Sequence, residues 1–383
     1  MYDAVVVGGG PAGTITARLL SEDHDVLVLE EHASSGLPMQ CAGILTEEVI
    51  GMCGVRPDIL GRITGADVIF PSGGRFEVRS EGTKALLIDR ADLDRKLAEA
   101  AIDKGTEIRY GTRYLGHKTT EGGVSISTGI GDIRSELIVG ADGHSSGVAA
   151  SIGRNLPREY VYGIEADVRH RSEHDDIMTL RIGSEFAPGF FSWEVPFGDM
   201  VRVGLCIRAG TGNSPHEYLK KLLKTSGIES ADVISKYSGK IPLGGRRRSY
   251  DERTLLIGDA AGQVKPVSGG GIYPICMAAP VLRDTVRESI SEKKTSAHFL
   301  SVYERGWKKI IGRELSRGYR IRKLYTGLSD DDFDTVYGII NRDDVKRILD
   351  GIDLNSPSTV AGPMMRNPQV GLRLLPIILR AIL

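Results

Sequence analysis

The sequence is short of most features that mark the large function classes. It has no charge excess. Its 383 residues carry 49 Lys+Arg against 50 Asp+Glu, a formal net charge of -1. That balance excludes the basic surplus of a general nucleic-acid binder. Cysteines number four, Cys41, Cys53, Cys206 and Cys276, with no C-x-x-C pair, and no H-E-x-x-H occurs among the eight histidines. A zinc site is not expected, and scattered thiols suit a reducing compartment better than a disulfide framework. No run approaches the ~18–20 apolar residues of a membrane span. The longest apolar tract, Leu372 to Leu379, is broken by Arg373 and Pro376. Aromatics make up 6% of the chain. The first strand begins without a charged segment before it, so a secretory leader is not expected and a cytoplasmic location is.

What the chain has in excess is glycine. There are 48, against a usual ~7%. With 16 prolines and no G-X-Y period, collagen is excluded. The remaining composition, 41% hydrophobic and 26% charged, fits a folded globular chain. The length calls for two or three subdomains.

Ala4-Val5-Val6-Val7 reads as a buried strand running into Gly8-Gly9-Gly10-Pro11-Ala12-Gly13. A helix follows over Thr14 to Ser21, then a second strand from Asp25 to Glu30. This is the β-α-β opening of a doubly wound parallel sheet. Ala91 to Lys104 reads as an amphipathic helix, and Glu107-Ile108 and Ile138 to Asp142 as further strands. From about Val161 to Lys240, period-two stretches such as Ile164 to Val168 and Val201 to Leu205 predict an antiparallel sheet. Thr254 to Ile257 returns to the first sheet, and beyond Gly271 the chain reads as mostly helical. The expected architecture is α/β plus antiparallel β. A discontinuous Rossmann-like domain would comprise 1–65, 85–155 and 252–295. An antiparallel-sheet substrate domain would comprise 66–84 and 156–251, and a helical region 296–383.

Gly8, Gly10 and Gly13 satisfy G-x-G-x-x-G. At this glycine frequency chance alone supplies about 0.7 such matches, so context must carry the reading. The turn follows a strand, opens a helix, and lies 20 residues before Glu30. Such glycines let a pyrophosphate approach the helix N-terminus, and Glu30 would accept ribose hydroxyls. A second cluster, Gly258-Asp259-Ala260-Ala261-Gly262, precedes Gly269-Gly270-Gly271-Ile272. Asp259 would bond ribityl hydroxyls, and the N–H groups of Gly271 and Ile272 would face the flavin N1/O2 edge, where reduction places negative charge. Each cluster taken alone also fits a plain strand-to-helix turn.

These segments resemble the FAD-dependent aromatic-hydroxylase-like superfamily, on the residues just named with Arg90 and Gly140-Ala141-Asp142-Gly143. The resemblance implies that Arg90 contacts the cofactor, Tyr114 lies beside the adenine and Asp142 lies near the pyrophosphate. Pro188 to Gly198 resembles the P-x-x-Y-x-W-x-F-P-x-G signature of the geranylgeranyl reductase family, with Phe191 and Val195 in place of Tyr and Phe. Pro38-Met39-Gln40-Cys41-Ala42-Gly43-Ile44 resembles the cysteine loop that those reductases place against the flavin. Cys41, Ala42 and Ile44 are thus cofactor candidates. Phe191, Trp193, Pro196 and Phe197 are substrate candidates, since alternation puts Phe191, Trp193 and Val195 on one face that can wall an isoprenoid channel. An ordinary core strand fits the same pattern.

The implied activity is hydride transfer from reduced FAD to isoprenoid double bonds of a polyprenyl or prenylated glycerophospholipid substrate. NADPH or reduced ferredoxin would be the electron donor. Cys41 and Tyr273 are catalytic candidates, and Cys276 is a candidate partner for Cys41. A monooxygenase or halogenase of the same superfamily is the alternative, since Phe191 to Pro196 partly echoes W-x-W-x-I-P. Eight basic residues from Arg305 to Lys323 face only Glu314. They read as a solvated face or as a surface for anionic headgroups, with the apolar tail after Pro368 lying on the inner face of the membrane.

Overall fold

The computed structural model describes residues 1–39, 41–153, 156–342, 345, 353–366, 370, 373, 374 and 377. The centre of the first sheet is built on continuous apolar runs, Ala4 to Val7, Val26 to Leu29 and Leu137 to Val139, as strands covered on both faces require. Strands Tyr2–Val7, Val26–Leu29, Glu107–Arg109, Gly131–Gly140 and Thr254–Leu256 pair in parallel. Tyr250–Asp251 adds an antiparallel edge, and Tyr114–Thr120 with Gly123–Thr128 form a hairpin on the Gly131 strand. Helices Pro11–Leu20, Arg90–Ile102 and Ile272–Glu292 share one apolar cluster on this sheet.

The second sheet has seven strands in the order Val233–Leu243, Glu159–Arg169, Met200–Arg208, Phe191–Phe197, Ile177–Ile182, Gly65–Ile69, Arg75–Val78. Gly65–Ile69 pairs in parallel with Ile177–Ile182, and every other pairing is antiparallel. Period-two alternation sorts its side chains. Ile164, Ala166, Val168, Val201, Val203 and Leu205 face the helix Pro215–Thr225. Phe190, Trp193, Val195, Val161 and Cys206 occupy the opposite face. As expected, the chain combines an α/β part, an antiparallel sheet and a helical C-terminal part.

A three-stranded sheet, Ile44–Leu45, Ala85–Ile88 and Ile59–Ile63, joins the two cores. Leu86 and Ile88 point into the first cluster, while Ala85 and Leu87 point toward Trp193 and Val195. The C-terminal helices brace both parts. Tyr303 donates to the Leu256 carbonyl at 2.9 Å, and Trp307 Nε1 donates to Ser249 Oγ at 2.9 Å. Arg322, read as one of a basic surface run, is instead buried. It pairs with Glu159, donates to the Gly189 carbonyl at 3.0 Å and lies over the Phe190 ring. Among the described residues, no helix is long and apolar enough to cross a membrane. Most of the Leu372–Leu379 tract lies outside the described residues; Leu374 and Ile377 pack with Ile339.

Candidate functional site

The two glycine turns are pressed together. Gly8 has φ +105, and a Cβ there would sit 2.5 Å from the Ala141 carbonyl oxygen. One on Gly13 would sit 1.8 Å from the Gly8 oxygen, which holds the helix start against the turn. Gly10 has open space on its Cβ side and caps the Pro11 helix with no side chain over its N–H groups. Ala12 meets Gly258, whose Cβ would lie 2.8 Å from the alanine methyl. The Asp259 turn is thereby set against the first helix.

Glu30 is buried under the first turn. Its Oε2 accepts from Gly9 N at 2.7 Å and its Oε1 from His32 N at 2.8 Å. Asp142 takes Ser146 Oγ at 2.5 Å and Val148 N at 3.1 Å, so it caps the short helix Gly147–Ser151 beside Gly8. Burial pushes its carboxyl up. Tyr114 packs against Gly147, its hydroxyl 2.7 Å from His117 Nδ1, and burial pushes its pKa up to about 12.

Asp259 lies at the foot of the Ile272 helix, with Oδ1 3.3 Å from where a Gly271 Cβ would stand. Burial lifts its carboxyl to about 6, against the pull of Arg246 and Arg90. Gly271 caps the Ile272 helix with no side chain and no acidic residue in the first turn. That N-terminus favours negative charge. Arg90 grips Asp94 at 3.0 and 3.1 Å. Burial works against the guanidinium charge, but Asp94 and Cys41 hold it above the ordinary arginine value.

The Cys41 loop joins this site to the second sheet. Arg202 Nη1 donates to the Ala42 carbonyl at 2.8 Å, and a Gly43 Cβ would lie 3.3 Å from both Arg202 Nη1 and Arg90 Cγ. Ala42, Ile44, Phe191, Trp193 and Phe197 share the apolar cluster on the facing side of the sheet. Pro196 pairs with Val201 in the same strand pair. On that face Arg202 holds Asp167 at 2.7 and 3.0 Å.

Tyr273 lies in the first turn of the Ile272 helix, with Lys265 beside its ring and Glu48, Glu314, Asp353 and Ser356 near its hydroxyl. Cys276 does not meet Cys41. Its sulfur lies 3.9 Å from that of Cys53, because its turn of the Ile272 helix faces the core shared with the helix Glu47–Cys53. Sequence reasoning missed Arg246, Arg202, Asp167 and Glu165. For Arg202, Asp167 and Glu165 the signal was charge alternating with apolar residues along strands; Arg246 lies in the loop after Val233–Leu243, within a run of three arginines.

Fold and site together define a flavin-binding oxidoreductase. The "FAD binding domain" family model matches residues 1–273. Digeranylgeranylglycerophospholipid reductase 2 of Methanothermobacter thermautotrophicus is 30% identical over 376 residues, 94% of each chain. A solved geranylgeranyl bacteriochlorophyll reductase-like protein of Thermoplasma acidophilum superposes with a TM-score of 0.85 at 22% identity, covering 98% of this chain and 99% of that one. A halogenase solved with FAD shares the fold, with a TM-score of 0.71 at 13% identity over 100% of this chain and 94% of that one. The chain belongs to the FAD binding domain family and, within it, to the geranylgeranyl reductases. The residues present fit FAD. Open helix N-termini at Gly10 and Gly271 suit its pyrophosphate and pyrimidine edge, and Glu30 and Asp259 suit its ribose and ribityl hydroxyls.

Proposed function

We propose that the chain saturates isoprenoid double bonds of a geranylgeranylated glycerophospholipid, drawing electrons from NADPH or reduced ferredoxin. The observation that carries this reading is the apolar wall of Phe191, Trp193, Val195 and Phe197, set across the Cys41 loop from Arg90. The name of the Methanothermobacter relative points to the same substrate class.

Reduced FAD, when bound, supplies hydride. The protein's own part is to hold the alkene and exclude water. An isolated alkene is a poor electrophile, so positioning must carry much of the barrier reduction. Arg90 and Asp94, locked to each other, make a rigid base beside Cys41. Arg202 pins the Ala42 carbonyl and so fixes the loop between wall and cofactor. Lys309, Arg313, Arg317 and Arg320 are exposed on the C-terminal helices, next to the exposed Ile310. They would draw the protein to an anionic lipid surface, where its substrate resides.

The test is anaerobic incubation of dithionite-reduced protein with a digeranylgeranyl phospholipid, read by lipid mass spectrometry. Gain of a hydrogen pair per reduced bond is the expected result. Product that forms only when oxygen is admitted would favour an oxygenase.

A further inference from the structure

Four residues line up across the inner face of the second sheet. Trp193 pairs with Gly204, Gly204 with Glu165, and Glu165 with Tyr237. Gly204 is where the row would otherwise close. A Cβ there would stand 2.5 Å from the Trp193 ring and 2.7 Å from its Nε1. The missing side chain lets the indole lie across the strand toward Glu165. Glu165 is 4% exposed; neither its Oε2 nor Trp193 Nε1 reaches a partner at full hydrogen-bond geometry among the described residues, and the indole N–H is the donor nearest the carboxyl.

A buried, unpartnered carboxylate oxygen is costly unless it is protonated or serves a ligand. Its surroundings favour the proton. Burial lifts Glu165 to about 7; Arg202 opposes the rise, Asp167 adds to it, and Arg90 and the Trp193 indole N–H oppose it further. Arg202 is committed to Asp167 and to the Ala42 carbonyl, so it cannot also pair with Glu165 at close range. Tyr237 turns its hydroxyl toward Asp167 at 3.5 Å. Cys206, on the next strand, is itself pushed up by burial and by Glu165. Of the carboxyls against Arg90 and Arg202, Asp94 is held by Arg90 and Asp167 by Arg202.

We propose that Glu165 is the acid that delivers the proton in alkene reduction. The inference rests on the reductase reading above. Glu165 Oε2–H gives its proton to one alkene carbon while the other carbon takes hydride from reduced FAD. The π bond is lost and two C–H bonds form. The alkene is reduced and the flavin oxidised. The Glu165 carboxylate regains a proton from water before the next turnover, and the external donor restores the reduced cofactor. The Trp193 indole, laid across Gly204, covers the carboxyl from that side.

The test compares Glu165→Gln, Glu165→Asp and wild type in the FAD-loaded protein. Glu165→Gln should bind FAD and be bleached by dithionite as wild type is, yet reduce geranylgeranyl phospholipid at least roughly a hundredfold more slowly. Glu165→Asp should recover part of the rate with a displaced pH profile. Independently of turnover, the 13C carboxyl resonance of Glu165 should titrate near neutral pH in wild type. A Glu165→Gln protein as fast as wild type, with the same pH profile, overturns the assignment. So does a Glu165 carboxylate already ionised at pH 5. Wild-type protein that leaves every prenyl lipid unreduced, though Glu165 titrates near neutrality, would overturn the reductase reading and this step with it.

Discussion

The indole of Trp193 lies over Gly204, so close that a methyl group there would meet the ring at 2.5 Å. The contact sets how far the aromatic wall leans across the sheet. Gly204 is in neither a turn nor a left-handed conformation, so the need for glycine there comes from packing alone. Gly204→Ala should push the indole aside at a cost of about 1–3 kcal/mol, read as a lower urea midpoint. Trp193→Leu in the same chain should recover part of that loss. If Gly204→Ala leaves the midpoint unchanged, the contact does not constrain the sheet.

Arg202 and Asp167 form a buried pair, and Arg202 also tethers the Cys41 loop. Arg202→Met leaves Asp167 buried and unpaired, which should cost about 3–5 kcal/mol. Arg202→Met with Asp167→Leu should regain most of the stability. It should not regain FAD affinity, because the Ala42 carbonyl stays untethered. Chemical unfolding and flavin titration separate the two effects.

Asp259 gives a pH dependence of definite sign. In the cofactor-free chain its pKa is raised to about 6, whereas an unfolded aspartate titrates near ~3.9. The folded state therefore holds the proton more tightly. The resulting stabilisation is complete below about pH 4 and is lost as pH rises through about 6, amounting to roughly 3 kcal/mol. Asp259→Asn should flatten that part of the pH–stability curve and weaken FAD binding. Urea unfolding across pH 4–8 checks the first, flavin titration the second.

The exposed basic row should govern attraction to lipid. Replacing Arg313, Arg317 and Arg320 together by Gln removes about 1 kcal/mol per charge near an anionic surface, so binding should fall roughly a hundredfold. Co-sedimentation with anionic vesicles measures it. Equal binding by the variant would place the contact elsewhere. Arg322 makes the contrast. As a buried ligand of Glu159 and the Gly189 carbonyl, its replacement should lower stability and leave vesicle affinity per folded molecule unchanged.

The glycine turns were legible in the sequence because backbone chemistry writes itself locally. Gly8 and Gly258 fall where strand gives way to helix, Gly13 in the first helical turn and Gly271 at a helix cap, and the structure finds close approaches at each. The substrate side was less legible. Alternation in Ile164 to Val168 and Val201 to Leu205 was read correctly as strand. Its polar positions, however, suggest solvent, whereas Glu165, Asp167 and Arg202 are buried, with Arg202 held to the Ala42 carbonyl. Period two reports which residues share a face, not what covers that face. The Cys276 neighbour failed for a related reason: helical phase carries it toward Cys53, and spacing in sequence holds no information on that.

The most direct measurement is a single anaerobic turnover. FAD-loaded protein is fully reduced and mixed with digeranylgeranyl phospholipid while the flavin absorbance is followed. The oxidised flavin spectrum should return without oxygen, with one hydrogen pair gained by the lipid per flavin reoxidised. Flavin that stays reduced beside unchanged lipid until oxygen is admitted would contradict it.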